Sequence, residues 1–244
     1  MTDSEAVIRF LHGAAFEKKS SEEGRLHVYP FVTISRQAGA GGRKFVQALL
    51  TRLEALPEKP LFQGWQSFDK ELCEKVAQDP AIKVSFQALV TEKFRNDLED
   101  DLSQIIADES PQLKVHRKIF SIIDGLAAVG KAVIVGRGGA CLTRNHPLGI
   151  HIRLVASRKS CVERIMEQMG TGRREAERWI VEQDNARAKL IRSYFDKNID
   201  DPLLYDAIFN SDAAPFDMMA SAVISMIEYK AAASKKAELE SSAG

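Results

Sequence analysis

The chain has 244 residues, of which 45% are apolar and 28% are charged, so it is long enough to bury a sizeable core within one large α/β domain. Lysine plus arginine equals aspartate plus glutamate at 34 each, which excludes a global excess of positive charge for nonspecific nucleic-acid binding. The three cysteines are too few for a disulfide framework or a zinc site, and no run approaches the roughly twenty apolar residues of a membrane span.

Residues 1–25 are predicted to form a helical extension outside the main sheet. Apolar residues recur at helical spacing from Ala6 to Ala14, and the SSEEG stretch at 20–24 ends the pattern. The start carries acids and only a short apolar run, unlike a secretory signal, so we expect a cytoplasmic protein without a membrane partner. The amphipathic pattern also raises the possibility of a homodimer formed through this helix.

The next segment predicts a strand, a loop and a helix. HVYPFVTIS at 27–35 is rich in β-forming residues, and the helical pattern covers 44–56. Between them lies TISRQAGAGGRKF, which has three glycines and no acid. Such a loop can wrap a phosphate, although three glycines can also simply make a tight turn between a strand and a helix.

After the loop, short apolar runs alternate with helical patterns. Strands are expected at 61–68, 132–136, 150–156 and 203–210. Helices are expected at 114–129, broken by Gly125 and Gly130, at 158–169, at 173–195 and from Pro215 onward, with Ser157 and Gly170 as caps of the second of these. The helical stretch at about 70–128 is interpreted as an insert. Five strands alternating with helices predict a mostly parallel five-stranded sheet with helices on both faces and ligands at its carboxyl edge.

The glycine loop departs from the standard phosphate loop, in which a lysine neutralises phosphate charge and a hydroxyl holds magnesium. If Gly39-Ala40-Gly41 is laid on the glycine-x-glycine of nucleotide-kinase loops, Gly42 takes the lysine position and Lys44 takes the serine/threonine position. Arg43 is then the nearest replacement cation. An arginine can donate two parallel hydrogen bonds to a phosphate, whereas magnesium loses its usual hydroxyl ligand.

Several blocks together resemble the cytidylate kinase-like family, a branch of the P-loop nucleoside monophosphate kinases. In chain order they are ISRQAGAGGRKF, FDKELCEKVA, AVIVGRGGACL, IHIRLVASRKSCVERI, EAERWIVEQDNARAKLIRSYF and DPLLYDAIFNS. The resemblance covers about residues 30–212, and the combination is more specific than any single block. It implies a kinase-like domain over 26–230, an acceptor site under the insert, a lid at about 168–195, and a flexible tail at 231–244.

The resemblance also implies roles for individual residues. The residues expected to bind ATP are Ser35, Arg36, Gly39, Ala40, Gly41, Gly42, Arg43 and Lys44. Those expected to bind the acceptor are Asp69, Arg137 and Gly138, although Asp69 could equally be a helix cap and Gly138 stands where true cytidylate kinases have an aspartate. Arg43, Arg187 and Arg192 are the expected catalytic cations, because phosphoryl transfer depends on neutralising charge that spreads in the transition state. The two lid arginines could instead pair with Glu182 and Asp184.

The function expected from this resemblance is ATP-dependent phosphoryl transfer to a nucleoside monophosphate or a similar small phosphorylated acceptor, with ATP and Mg²⁺ as cofactors. The magnesium ligands are not identifiable from the sequence. The competing hypothesis is a nucleotide-binding sensor or scaffold that has kept the fold and lost turnover, since the loop lysine, the loop hydroxyl and the aspartate after Arg137 are all missing.

Overall fold

The structure is a computed structural model that describes residues 10, 29–57, 60–69, 71–73 and 111–242. The predicted N-terminal extension, apart from Phe10, and residues 74–110 of the predicted insert lie outside the described residues. Phe10 is helical, and its ring packs edge-on against Phe68 with 5.3 Å between the ring centroids.

A parallel sheet of five strands, counted over the described ranges, organises the domain, in the order β2-β3-β1-β4-β5. The strands are β1 (Phe31–Arg36), β2 (Gln66–Phe68), β3 (Ala132–Val135), β4 (Gly149–Val155) and β5 (Ala207–Asn210). The central strand β1 lies between β3 and β4, with Ile34 opposite Val135 and Ile152. Because all strands run the same way, their carboxyl ends meet at one edge, as predicted.

Helices cover both faces of the sheet. They are α1 (Gly42–Glu54), α2 (Pro111–Val129), the short α3 (Gly139–Leu142), α4 (Arg158–Met169), α5 (Arg173–Phe195) and α6 (Phe216–Ser242). A 3-10 turn, Pro202–Leu204, precedes β5. The five-stranded parallel sheet with flanking helices confirms the fold predicted from the sequence.

Among the described residues, two larger apolar clusters lie on opposite faces of the sheet, and a smaller third one joins α4 and α5 to Ala38 of the glycine loop. On one face α1 and α6 pack through residues such as Leu49 and Val223 against the strands. On the other face α2 packs through residues such as Ile123 against Phe31 and Ile134. The central strands are buried on both faces: β3 is a continuous apolar run in the sequence, whereas β1 and β4 also bury the polar side chains of Thr33, His151 and Arg153.

Two predicted strands are shorter than expected. Residues 60–64 form turns, with Gly64 in a left-handed conformation at φ +78°, so β2 begins only at Gln66. The last strand begins at Ala207, because Pro202 starts a 3-10 turn in which the Asp201 side chain accepts a hydrogen bond from the Leu203 N–H. Pro202 has no N–H to donate to a ladder, so strand pairing starts after it.

Helices α2 and α6 differ from the predictions, whereas helix α4 matches them. Helix α2 runs without a break through the buried Gly125, since its tertiary packing outweighs the cost of about 1 kcal/mol for a glycine in a helix. Helix α6 extends to Ser242, into the segment expected as a flexible tail. Both predicted caps of α4 are confirmed: the Ser157 side chain accepts from the Ser160 N–H, and Gly170 ends the helix at φ +62°.

A buried polar pair joins the two central strands. Thr33 Oγ1 of β1 lies 2.8 Å from Nδ1 of His151 on β4, and the His151 side chain is 3% exposed. The His151 N–H donates to the Asp206 carboxylate, and the Asp206 N–H donates back to the His151 carbonyl. Burial lowers the pKa of His151 to about 4, although the negative charge of Asp206 opposes this shift.

We expect this histidine to make the fold acid-sensitive. The folded protein keeps His151 neutral, whereas the unfolded chain protonates it below about pH 6.5, so stability present above that pH is lost as the pH falls toward 4. Relative to His151→Asn, whose amide can reach the position of Nδ1 without titrating, the wild type should lose about 2 to 3 kcal/mol of unfolding free energy between about pH 7 and pH 4.5.

Urea unfolding of both proteins at each pH measures this difference. The comparison must be made between the two proteins, because burial raises the pKa of Asp124 to about 6 and gives a slope of opposite sign in the same pH range. A difference that stays constant with pH would contradict the assignment to His151.

Candidate functional site

The glycine loop connects β1 to α1 at the carboxyl edge of the sheet. Gly39 and Gly41 have left-handed backbones, at φ +82° and φ +87°, and Gly41 is the N-cap of α1. A Cβ on Gly39 would lie 2.5 Å from the carbonyl oxygen of Cys161, and one on Gly41 would overlap the ring of Phe216. The loop therefore requires glycine at both positions, for backbone conformation and for space.

Two side chains from distant segments hold the loop in place. The Ala38 N–H donates to Asp184 Oδ1 on α5 at 2.8 Å. Arg164 on α4 donates to the Gly39 carbonyl at 3.2 Å, and the same guanidinium binds Ser211 and the carboxylate of Asp212. Sequence reasoning did not identify Arg164, because its partners lie 47 to 125 residues away in the chain. No local pattern encodes those contacts.

Arg43 and Lys44 lie in the first turn of α1, and both are exposed. That turn contains no acidic residue, and the N-terminus of a helix carries a partial positive charge. The main-chain amides of the turn, the helix dipole and the two cations therefore favour an anionic ligand at this end of the loop.

Ser35 is engaged by the protein itself. Its Oγ accepts hydrogen bonds from Arg153 at 3.0 Å and from the Tyr205 hydroxyl at 3.2 Å. Arg153 is only 4% exposed, and its guanidinium also pairs with Asp200 at 2.5 Å. The hydroxyl of Ser35 therefore anchors a polar network in the wall of the site, a contact that the sequence did not predict.

A cavity of about 210 Å³ lies beside the loop, between the carboxyl ends of β1 and β3 and the helices α3 and α5. Three arginines line it: Arg36, Arg137 and Arg187. Ser35 and Tyr205 are also among its lining residues. The structure thus brings three of the predicted site arginines, which lie far apart in the sequence, to one concave surface.

Arg137 occupies a strained backbone position just after the carboxyl end of β3. Its φ is +56°, between Gly136 at +80° and Gly138 at +72°, and left-handed backbone is unfavourable for a residue with a side chain. A Cβ on Gly138 would overlap the ring of Phe195. The turn therefore presents Arg137 to the cavity at some cost in backbone energy, a pattern that is common at functional sites.

Asp69 follows β2 and is exposed. Its carboxylate accepts a hydrogen bond from the Leu72 N–H at 3.0 Å, which is the helix-cap role that the sequence left open. Its charge also acts on Arg36, whose pKa it raises. Asp69 is therefore a capping residue that contributes to the electrostatics of the cavity.

Helix α5, which lies in the region predicted as a lid, brings one of its two predicted arginines to the site. Arg187 lines the cavity and donates to Asp184 at 2.9 Å. The side chain of Arg192 is 70% exposed, lies 4.0 Å from Asp196, and is not part of the cavity wall. The proposed pairing with Asp184 is thus found for Arg187, and the structure does not bring Arg192 to the loop.

Within the residues that the structure describes, no group of three or more histidine, cysteine, aspartate or glutamate side chains could hold a metal ion. The same described part of the chain contains no helix long and apolar enough to cross a membrane.

Residues 31–213 match the family model described as the cytidylate kinase-like family. The chain belongs to this family. The matched range confirms the resemblance inferred from the sequence blocks, and within the cytidylate kinase-like match lie the loop, the cavity arginines and helix α5. The sequence has no match among curated proteins.

Three of the solved structures to which the chain is similar are described by their identity, their TM-score and the share of each chain that is covered. A crystal structure of an uncharacterized protein from Eubacterium ventriosum has 18% identity and a TM-score of 0.59, with 82% of this chain and 98% of that chain covered. Shikimate kinase from Bacteroides thetaiotaomicron has 13% identity and a TM-score of 0.40, covering 85% and 97%. Dephospho-CoA kinase from Campylobacter jejuni has 15% identity and a TM-score of 0.37, covering 82% and 98%. The first of these likenesses supports the fold.

Proposed function

We propose that this cytidylate kinase-like protein transfers the γ-phosphoryl group of ATP to a nucleoside monophosphate or a similar small phosphorylated acceptor. The observation that carries the proposal is the cavity beside the glycine loop, where Arg36, Arg137 and Arg187 converge. Three guanidinium groups around one cavity repel each other, and an anionic ligand relieves that repulsion. Phosphate is a well-matched ligand because guanidinium binds it through two parallel hydrogen bonds.

The size of the cavity indicates which part of the acceptor it would hold. Complete small-molecule sites typically measure about 300 to 1,000 Å³, so about 210 Å³ suits the phosphorylated end of an acceptor better than a whole nucleotide. An acceptor phosphate in the cavity would lie next to the loop that is proposed to hold ATP. Such proximity, together with neutralisation of charge, is most of what phosphoryl transfer requires.

Magnesium is the remaining component of such a reaction, and the described residues do not supply a ligand set for it. Lys44 stands at the position of the usual hydroxyl ligand, and the Ser35 hydroxyl is already bound by Arg153 and Tyr205. Magnesium would enter with ATP as part of the substrate, held by the nucleotide's phosphates and by water, as this ion commonly is.

An ADP-release assay tests the function directly. The purified full chain would be offered ATP and magnesium with a panel of nucleoside monophosphates and, separately, small phosphorylated sugars. We expect turnover with at least one acceptor. No ADP release with any acceptor, together with no ATP binding in calorimetry, would exclude the kinase.

A nucleotide-binding sensor without turnover is the second candidate. It is favoured by the engaged hydroxyl of Ser35 and by Gly42 and Gly138 at positions where a lysine and an aspartate are expected. Calorimetry separates the two functions. Tight ATP binding that does not depend on magnesium, without ADP release, would support the sensor, whereas ADP release that requires an acceptor would support the kinase.

For the kinase, Arg137→Met should weaken acceptor binding. We expect KM for the acceptor to rise at least about tenfold with a smaller change in kcat, because the lost hydrogen bonds would hold the acceptor in both ground and transition states. Steady-state kinetics with the acceptor varied measures this split. Arg144→Met is the matched control, since Arg144 is an exposed arginine of the same segment that does not line the cavity. Equal effects of the two substitutions would contradict the role of Arg137.

A further inference from the structure

Arg36 is the last residue of β1, and two glycines make room for its side chain. A Cβ built on Gly42 would lie 3.3 Å from Cγ, 3.7 Å from Cδ and 3.8 Å from Nε of Arg36. A Cβ built on Gly136 would overlap Nη1 of the same guanidinium. The stem of Arg36 therefore passes over Gly42, and its guanidinium lies beside Gly136 at the carboxyl end of β3.

Gly42 is the position at which the nucleotide-kinase loop carries its lysine. A side chain growing from Gly42 would start beside the stem of Arg36, so the two side chains would compete for the same space. In this chain the stem of Arg36, from the strand before the loop, fills the space in which that lysine side chain would begin. Arg43, the nearest cation in sequence, is instead exposed on the first turn of α1.

The side chain of Arg36 forms part of the cavity wall, together with Arg137 and Arg187. Its pKa is lowered to about 10, chiefly by burial and also by the positive charges of Arg187 and Arg137, while the negative charges of Asp69 and Asp184 oppose the shift. The guanidinium stays protonated at neutral pH. A half-buried cation beside two others is electrostatically costly in the unliganded protein, and a polyphosphate bound there would offset that cost.

We propose that Arg36, rather than Arg43, supplies the cation that standard phosphate loops take from lysine, and that it binds the phosphoryl group in transit between the loop and the cavity. The proposal rests on the kinase function proposed above. In that reaction an oxygen of the acceptor phosphate bonds to the γ-phosphorus, and the bond from that phosphorus to the bridging oxygen of ADP breaks. ADP leaves with the electron pair, and Arg36 keeps its proton and neutralises the charge on the equatorial oxygens.

The decisive experiment removes the positive charge at position 36 and introduces one at position 42. Arg36→Met should lower kcat at least about 100-fold, whereas Arg36→Ala combined with Gly42→Lys should recover at least about tenfold over Arg36→Ala alone, because the freed space admits a lysine at its usual position. Arg43→Met should lower kcat less than about fivefold. Arg52→Met, an exposed arginine at the other end of α1, is the control for the loss of a positive charge and should match the wild type.

A second measurement separates this proposal from the kinase proposal and does not need turnover. Binding of inorganic tripolyphosphate, followed by calorimetry, should weaken at least about tenfold in Arg36→Met and recover in the protein with Gly42→Lys. If the wild type binds tripolyphosphate through Arg36 but turns over no acceptor, the kinase fails and the role of Arg36 in phosphate binding stands. If Arg36→Met keeps kcat and tripolyphosphate affinity within about fivefold, or if no tripolyphosphate binds to the wild type, the role of Arg36 is overturned.

Discussion

Replacing Gly39 by alanine is expected to lower the unfolding free energy by about 3 kcal/mol and ATP turnover by at least about 100-fold. The left-handed backbone alone costs an L-residue about 1 to 2 kcal/mol, and the new Cβ would stand 2.5 Å from the carbonyl oxygen of Cys161. Either the loop or helix α4 must then shift. A displacement of about 1 Å at a phosphate site is enough for a rate loss of that size.

Gly64→Ala is a closely matched control for this substitution. Gly64 has nearly the same backbone, at φ +78°, but a Cβ there would meet nothing within 4 Å, and it lies in a turn before β2. It should therefore cost only the backbone term of about 1 kcal/mol and leave turnover unchanged. Chemical denaturation and ADP release measured on both variants make the test. If Gly39→Ala behaves like Gly64→Ala, the packing of the loop on α4 does not constrain it.

Replacing Asp184 by alanine is expected to reduce turnover about 100-fold and stability by about 2 kcal/mol. One carboxylate oxygen accepts from the Ala38 N–H of the loop and also from Arg187, which lines the cavity. Without it, a backbone donor of a nearly fully buried residue loses its partner, which costs about 1 to 3 kcal/mol, and Arg187 loses its orientation.

Asp184→Asn separates the two functions of this side chain. The asparagine oxygen can still accept from the Ala38 N–H, so most of the stability should return, but the ion pair with Arg187 is lost and turnover should stay low. Glu182→Ala on the exposed side of the same helix controls for the loss of an acid. Unfolding and turnover measured on the three variants would contradict this division if stability and activity fell and recovered together.

The sequence was sufficient to predict most of the fold because β3 is a continuous apolar run and the other two central strands are rich in β-branched and aromatic residues. β1, β3 and β4 appear in the sequence as runs that no helical pattern matches, and the glycine loop and the caps of α4 have clear local chemistry. The edges of the sheet were less predictable. β2 and β5 are short, and each begins only after a turn, at Gly64 or at Pro202. No change in hydrophobicity marks the residue at which their pairing starts.

The site was predictable only in part. The loop and Arg137 follow strands directly, so parallel topology alone places them at one edge. The contact of Asp184 with Ala38, 146 residues away in sequence, and the path of the Arg36 side chain over Gly42 depend on side-chain packing between distant segments. Proximity in sequence pointed to Arg43 as the replacement cation, whereas three-dimensional proximity favours Arg36. The amino-acid sequence of the loop does not show which of the two arginines lies closer to the cavity in space.

The ring of Phe216 fills the place where a side chain on Gly41 would be. Helix α6 therefore supplies part of the floor under the turn, although it begins 175 residues later in the chain than Gly41 and carries none of the arginines that line the cavity. The aromatic ring and the absent side chain are two halves of one steric constraint. A smaller residue at position 216 would leave the turn unsupported on that side, so a turn transplanted into another scaffold would need its aromatic support transplanted with it.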